Sequence, residues 1–258
     1  MALTIRESIY RLYHDFLETA EQKRSWSVFN DIPWEKLDAS RAAEGDARCA
    51  EIYCAEELYV PDYSSNALEL TRSVLGMAFF QARWAFEESR HGLVFREYLI
   101  RSGLRTETEV EDLERGVIAN VWKLPFETQR RMTCYGAIQE SVTYLAYKAR
   151  KELARAAGDS VLEAIYHCVA RDEAAHGGFY RAITGLELAE DRAGTISDLA
   201  HVLRNFKMPG DGLIPFYRQR VQESGAGISS LTFIKRVLWP LLDTLEITHA
   251  EFTAAAAV

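Results

Sequence analysis

The stretches FEESRHG, residues 86–92, and RDEAAHGG, residues 171–178, carry the same pattern: a glutamate is followed three residues later by a histidine. On an α-helix, residues three apart share a face, so each pair can present a carboxylate and an imidazole to one point. One such pair is common by chance, but two copies on separate predicted helices indicate a shared metal site. The pairs are Glu88 with His91 and Glu173 with His176.

Two further long helices each offer a glutamate within apolar and aromatic surroundings. Glu56 lies in IYCAEELYV and Glu140 lies in YGAIQESVTYLAY. The resulting order, a lone glutamate and then a glutamate–histidine pair, twice over, is that of a dimetal four-helix bundle. We interpret Glu57 and Glu87 as solvated residues or as neighbours of the ligands, because each points about 100° away from the adjacent ligand.

This donor set favours iron. Carboxylates suit hard cations and imidazoles tolerate iron, whereas a single zinc ion would need fewer carboxylates and calcium does not favour histidine. Burying four carboxylates without cations would also be very unfavourable. The sequence therefore predicts a diiron centre with six ligands: Glu56, Glu88, His91, Glu140, Glu173 and His176.

The rest of the chain predicts an all-α protein. Only 6 prolines and 15 glycines occur, and they cluster between segments with helical periodicity. We predict helices over about residues 5–22, 47–71 with a bend at Pro61, 73–100, 108–122, 125–156, 159–184, 196–205, 213–223 and 229–252. The expected fold is a single domain over 1–258, a ferritin-like four-helix bundle with additional N- and C-terminal helices and a core at about 47–185.

Composition excludes several classes of protein. The net charge of -8, from 38 acidic and 30 basic residues, argues against a general nucleic-acid binder. No apolar run approaches the roughly 20 residues of a membrane span, and the N-terminus lacks the apolar stretch of a signal peptide. The four cysteines form no CxxC pair, so we expect reduced thiols and a cytoplasmic protein.

Several of these motifs resemble the soluble acyl-carrier-protein (acyl-ACP) desaturase family. WAFEESRHG, IQESVT and ARDEAAH are similar to the family's ligand-bearing helices, and CAEELYVPDY is similar to the segment with its first ligand. Trp26, seven residues before Pro33, and the tract FKMPGDGL also match. The resemblance covers roughly residues 23–215, and the C-terminal part is shorter than in plant enzymes.

The resemblance implies a homodimeric enzyme that introduces a double bond into an acyl chain carried on ACP. O₂ would be the co-substrate, and a ferredoxin would supply the electrons. Thr143 would stand beside the oxygen-binding face and help deliver a proton, unless its hydroxyl only bonds its own helix backbone. Asp172 would accept the free N–H of a liganding imidazole. Trp26 and Trp84 would lie on an electron route, although packing alone also explains a tryptophan.

Docking of acidic ACP would need a basic surface, for which Lys23 and Arg24 are candidates. Three other functions remain open. The first is a diiron hydroxylase or N-oxygenase of a specialised metabolite, since desaturation and hydroxylation diverge only after the first hydrogen is removed. The second is a ferritin-like iron-binding protein without an organic substrate, and the third is a helical interaction protein.

Overall fold

Within residues 4–256, which are those that the computed structural model describes, the chain forms α-helices, two π turns and a 3-10 turn, and no β-strand. The all-α prediction is therefore confirmed. The helices are α1 Ile5–Thr19, α2 Glu44–Glu57, α3 Val60–Thr71, α4 Leu75–Arg101, α5 Glu107–Ile118, α6 Gln129–Ala157, α7 Ser160–Glu190, α8 Arg192–Arg204, α9 Tyr217–Ser224, α10 Ser230–Phe233, α11 Trp239–Thr244 and α12 His249–Ala256. No helix among these residues is both long and apolar enough to cross a membrane.

The bundle consists of four rods: α2 together with α3, then α4, α6 and α7. Helices α6 and α7 make the most extensive contact, and α2 and α3 both pack along α4. The prediction of one helix over 47–71 is wrong, because Leu58 and Tyr59 interrupt it between α2 and α3. Pro61 lies in the first turn of α3, where no amide donor is needed, so the break precedes the proline.

The turn between α6 and α7 follows the sequence prediction. Gly158 ends α6 in the left-handed region, with φ 74, and the side chain of Asp159 accepts hydrogen bonds from the Val161 and Leu162 amides at the start of α7. Helix α6 begins later than Pro125, because the side chain of Thr128 caps it. This short connection holds the two longest helices antiparallel.

The apolar core is divided into two clusters along the bundle. On α4, Phe80 and Trp84 belong to one cluster, whereas Phe95 and Tyr98 belong to the other. On α7 the same change of cluster occurs between Ala170 and Phe179. Both glutamate–histidine pairs fall in these gaps, so the predicted ligands share one polar layer across the middle of the bundle.

The outer helices complete the fold around this layer. Helix α1 packs against α4 and α7, and a Cβ atom on Gly76 would lie 2.7 Å from the Cα of Tyr10, so α1 meets α4 backbone to backbone. The predicted helix over 229–252 is divided. A π turn over Ile234–Leu238 links α10 to α11, and Glu246, with φ 53, lies in the break before α12.

Candidate metal centre

Four glutamates and two histidines converge in the polar layer, one or two from each rod of the bundle. Their ligand atoms form two groups, and within each group the atoms lie within 4.8 Å of one another. The first group is Glu57, Glu88, His91 and Glu173, and the second is Glu88, Glu140, Glu173 and His176. Two of the residues, Glu88 and Glu173, belong to both groups and therefore lie between the two positions.

The histidines face the layer through the same ring atom. Nδ1 of His91 lies 2.8 Å from Oε2 of Glu88 and 3.1 Å from Oε1 of Glu173. Nδ1 of His176 lies 2.9 Å from Oε1 of Glu88 and 3.5 Å from Oε2 of Glu140. Each imidazole thus contacts two carboxylates on its inner side.

The atoms that face inward have no hydrogen-bond partner of normal geometry among the described residues. They are Glu88 Oε1, Glu140 Oε2, both carboxylate oxygens of Glu173, and Nδ1 of His91 and of His176. Buried polar atoms are normally paired, and leaving one unpaired costs about 1–3 kcal/mol. Cations would satisfy them all, and four carboxylates carry the charge of two divalent ions. The donor set fits an iron pair.

The pKa values in this layer show the same excess of negative charge. Burial, reinforced by the charge of Glu88, raises the pKa of Glu57 well above its usual range. Burial and the charges of Glu88 and Glu140 do the same to Glu173. Burial also acts to raise the pKa of Glu88, but His91 and His176 outweigh it and hold that pKa low. Burial and mutual repulsion thus favour the protonated forms of Glu57 and Glu173, and a nearby cation would counter both effects.

The structure corrects the prediction for α2, because Glu57 rather than Glu56 enters the layer. Glu57 is the last residue of α2 and lies over Gly92, where a Cβ atom would be 3.3 Å from the Glu57 Cβ. Its Oε1 accepts a hydrogen bond of 2.8 Å from the hydroxyl of Tyr147. Glu56 points elsewhere and lies outside both ligand groups. The glycine after His91, which makes room for a neighbour, was the available sequence signal.

A second carboxylate holds the outer nitrogen of each histidine. Oδ2 of Asp172 lies 3.3 Å from Nε2 of His91, the contact expected for Asp172 from the sequence. Oε2 of Glu87 lies 2.7 Å from Nε2 of His176. Glu87 is 1% exposed, so of its two interpretations the solvated one is wrong, and the one that makes it a neighbour of a ligand agrees with this contact. The signal was its position: like Asp172, it directly precedes a glutamate of the layer.

Guanidinium groups and an indole surround these outer carboxylates. Nη1 of Arg24 lies 2.8 Å from both Glu87 Oε2 and Asp172 Oδ1, and Nη2 of Arg90 lies 3.2 Å from Asp172 Oδ2. Nε1 of Trp26 donates to Asp172 at 2.7 Å. Arg24 is only 5% exposed, so the suggestion that it belongs to a docking surface is wrong. Lys23 remains exposed.

Two further predicted residues lie next to the layer. Nε1 of Trp84 donates a hydrogen bond of 3.0 Å to Oε1 of Glu140. The hydroxyl of Thr143 donates to the carbonyl of Gln139 at 3.0 Å, within its own helix. The electron route through Trp26 and Trp84 and the proton-delivering role of Thr143 stay predictions.

A smaller and a larger cavity lie at or near the layer, in addition to a space of about 450 Å³ that is lined by Glu140 and Glu173. The smaller, about 60 Å³, is lined by Glu57 and Glu88 and extends between α3, α4, α6 and α7. The larger, about 630 Å³, lies between the bundle and the C-terminal helices. Its wall is mainly apolar and includes Ile52, Val142, Ala146, Phe206, Phe233 and Leu238. Both cavities are lined by Glu56, Thr143 and Met208. An apolar space of this size, close to a metal layer, can hold an elongated organic ligand.

Comparison with known proteins adds sequence and fold relationships. Residues 61–223 match the family described as fatty acid desaturase. The chain is 30% identical over 263 residues to acyl-[acyl-carrier-protein] desaturase 7, chloroplastic, of Oryza sativa. That alignment covers 83% of this chain and 65% of the relative. It is 25% identical over 185 residues to DesA1, a candidate acyl-[acyl-carrier-protein] desaturase of Mycobacterium tuberculosis. That alignment covers 68% of this chain and 54% of DesA1, so the chain spans about half the length of this relative.

The fold is shared with a solved protein. The X-ray structure of DesA2 from Mycobacterium tuberculosis H37Rv, a candidate acyl-ACP desaturase, superimposes with a TM-score of 0.70. The superposition covers 97% of this chain and 98% of DesA2, at 16% sequence identity. At that identity the likeness establishes the fold, and the prediction of a ferritin-like helical bundle is confirmed.

Proposed function

Because the chain belongs to the fatty acid desaturase family, we propose that it is a diiron oxidoreductase that introduces a double bond into an acyl chain. The observation that supports this most directly is the pair of overlapping ligand groups beside an apolar cavity. The names of the relatives support acyl carrier protein as the carrier of the chain. A ferredoxin-type protein would supply electrons, and a homodimer is the expected assembly.

In this proposal, Glu57 and His91 would hold one iron ion, and Glu140 and His176 would hold the other. Glu88 and Glu173 would be available to both, since each belongs to both ligand groups. When bound, the iron pair would supply O₂ activation. The overall reaction would remove one hydrogen from each of two adjacent carbons and would reduce O₂, with two electrons and two protons, to two waters.

The protein's own contribution is positioning and exclusion of water. Asp172 and Glu87 fix the orientation of the two imidazoles from outside, and such outer contacts also raise the basicity of a metal ligand. The carboxylates are buried, so their interactions are little screened by solvent. The apolar wall of the larger cavity would hold methylene groups, and the smaller cavity would bring part of the chain next to Glu57 and Glu88.

Thr143 is the candidate for proton delivery in this reaction. It lines both cavities one helical turn after Glu140, and only 7% of its surface is exposed. Its hydroxyl would have to exchange the bond to Gln139 for one to the reacting species. Thr143→Val should keep its metal content and yield less product for each O₂ consumed, whereas Thr143→Ser should retain the wild-type ratio. If the wild type and both variants form the same amount of product for each O₂ consumed, the Thr143 hydroxyl only bonds its own helix backbone and does not deliver a proton.

The test of the proposed function is product analysis. Iron-loaded protein, a ferredoxin with its reductase, O₂ and a panel of acyl-ACP chains of different length are incubated, and the chains are analysed by mass spectrometry. Loss of two hydrogens supports the proposal, whereas gain of one oxygen would indicate a hydroxylase. Iron oxidation without a changed chain would indicate a ferritin-like role. Glu173→Gln, which removes a carboxylate common to both ligand groups, should abolish the product.

A further inference from the structure

Glu56 places a carboxylate where the two cavities meet. It lines both of them, and the surface that it retains is part of the cavity wall. Its Oε1 accepts a hydrogen bond of 2.7 Å from the hydroxyl of Tyr217 on α9. Within residues 4–256, Tyr217 is the side chain that donates to Glu56, and the backbone of Gly210 is a further donor. A carboxylate has about four acceptor positions, so part of its acceptor capacity remains open to a mainly apolar space.

The position of this carboxylate is fixed by the tract FKMPGDGL. A Cβ atom on Gly210 would lie 2.9 Å from Oε1 of Glu56 and closer still to the ring of Tyr217. Only glycine leaves room for the tract to pass over both side chains. The carboxylate thus lies between α2, α9 and this tract.

Among the residues that the structure describes, no lysine, arginine or histidine lies within ion-pair distance of Glu56, in contrast to Glu87 and Asp172. A purely hydrocarbon chain lying across the junction would remove water from the open side of this carboxylate and offer no replacement. Leaving a buried acceptor unpaired in this way is unfavourable. A chain that carries a hydrogen-bond donor at this point would satisfy it.

We propose that Glu56 recognises a hydroxyl or amine carried on the acyl chain, at the point of the chain that lies between the two cavities. The preferred substrate is then a substituted acyl chain rather than a plain one. This inference rests on the proposed function, because it assumes that the two cavities hold one acyl chain. Sites built to bond a substrate hydroxyl or amine discriminate strongly against the analogue that lacks it.

The test compares the binding of matched chains to the full-length, metal-loaded protein in the absence of reductant. Acyl-ACP carrying an unsubstituted chain is compared with hydroxyl-substituted and amino-substituted chains of equal length, with the substituent moved along the chain. We expect the best hydroxyl or amino position to bind about tenfold more tightly than the unsubstituted chain, since one hydrogen bond to an acceptor that would otherwise stay unpaired contributes on the order of that much.

Variants separate recognition from packing. Glu56→Leu should lose this preference and bind the unsubstituted chain more tightly than the wild type does. Glu56→Gln keeps an acceptor oxygen without the charge, so it should favour the hydroxyl over the amino chain, and it serves as the test if Glu56→Leu does not fold. Glu187→Leu, which removes a buried carboxylate that lines neither cavity, should keep the wild-type ratios.

The results that would overturn the inference differ from those that would overturn the proposed function. If the wild type binds acyl chains but prefers the unsubstituted chain to every substituted one, Glu56 is not a recognition residue and the desaturase proposal stands. If Glu56→Leu binds substituted and unsubstituted chains in the same ratio as the wild type, Glu56 is likewise not a recognition residue and the desaturase proposal stands. If no acyl chain of any kind binds or is oxidised, both proposals fail.

Discussion

Glu87 on α4 holds His176 on α7 through a contact of 2.7 Å between its Oε2 and the Nε2 of the imidazole. The reverse contact also exists, since Asp172 on α7 holds His91 on α4. Each helix therefore orients the histidine of the other, with the acidic residue that directly precedes its own glutamate of the metal layer.

Removing Glu87 should weaken metal binding without changing the ligand set. Glu87→Ala leaves Nε2 of His176 without its carboxylate, and loss of such an outer contact typically lowers metal affinity about 10–100-fold. Affinity can be measured by competition with a chromogenic chelator. Glu97→Ala on the same helix removes a carboxylate paired with Arg101 and should bind metal like the wild type. Equal affinity in Glu87→Ala would show that the contact does not act on the metal.

Metal counting distinguishes the two adjacent glutamates of α2. Glu57→Gln should bind one of the two ions much more weakly, because Glu57 belongs to the first ligand group only. Glu56→Gln should still bind two ions per chain. Titration under anaerobic conditions with metal analysis of the purified variants gives both counts. A normal count in Glu57→Gln together with a deficit in Glu56→Gln would restore Glu56 as the ligand.

Glu187 should make the protein less stable as the pH rises. Burial raises its pKa from 4.5 to about 7, even though Arg130 acts to lower it. Between these two values the folded protein holds a proton that the unfolded chain has lost, so this residue's contribution to stability falls as the pH rises through the window and is lowest above it. Glu187→Gln removes the buried charge and should raise the free energy of unfolding above the window by on the order of 2 kcal/mol.

Urea unfolding at about pH 5 and about pH 8 checks this prediction. The gain from Glu187→Gln should be much smaller at the lower pH, where the wild-type carboxyl is largely protonated in the folded state. Glu190→Gln changes an exposed carboxylate on the same helix and should have little effect at either pH. An equal gain at both pH values would mean that the ionisation of Glu187 is not responsible.

Two glycine substitutions should differ in their effect on stability. Gly76→Ala forces a methyl group against the backbone of α1, with its Cβ 2.7 Å from the Tyr10 Cα, and should lower the free energy of unfolding. The expected loss is about 1–3 kcal/mol, the usual cost of overpacking. Gly116→Ala in α5 meets no atom within 4 Å and should be neutral or stabilise by roughly 0.5–1 kcal/mol. Thermal unfolding of both variants measures the difference.

The sequence predicts the parts of the site that depend on helical periodicity. The two glutamate–histidine pairs and Glu140 lie within long helices. Residues three or four apart share a face of such a helix, and this does not depend on where the helix ends. Glu56 and Glu57 lie in the last turn of α2, where two adjacent carboxylates differ only in direction. The packing of Glu57 over Gly92 decides between them, and that contact is made by the tertiary fold.

Long-range partners explain the other differences. Lys23 and Arg24 are adjacent basic residues, but the π turn over Ala20–Arg24 directs only Arg24 into the core, toward carboxylates 63 and 148 residues away. The bond between Glu56 and Tyr217 joins residues separated by 161 positions. Periodicity carries no information about such pairs, so the sequence could not indicate the polar junction between the cavities.

The exchange of contacts between Glu87, His176, Asp172 and His91 has a consequence for the smallest unit that can build this centre. A helical hairpin that carried only one glutamate–histidine pair would lack the acid that orients its histidine, so neither half of the chain is self-sufficient. The minimal unit is two hairpins face to face. Two identical hairpins related by a twofold axis would form the same crossed bonds, so the geometry is equally suited to a symmetric dimer of half-length chains.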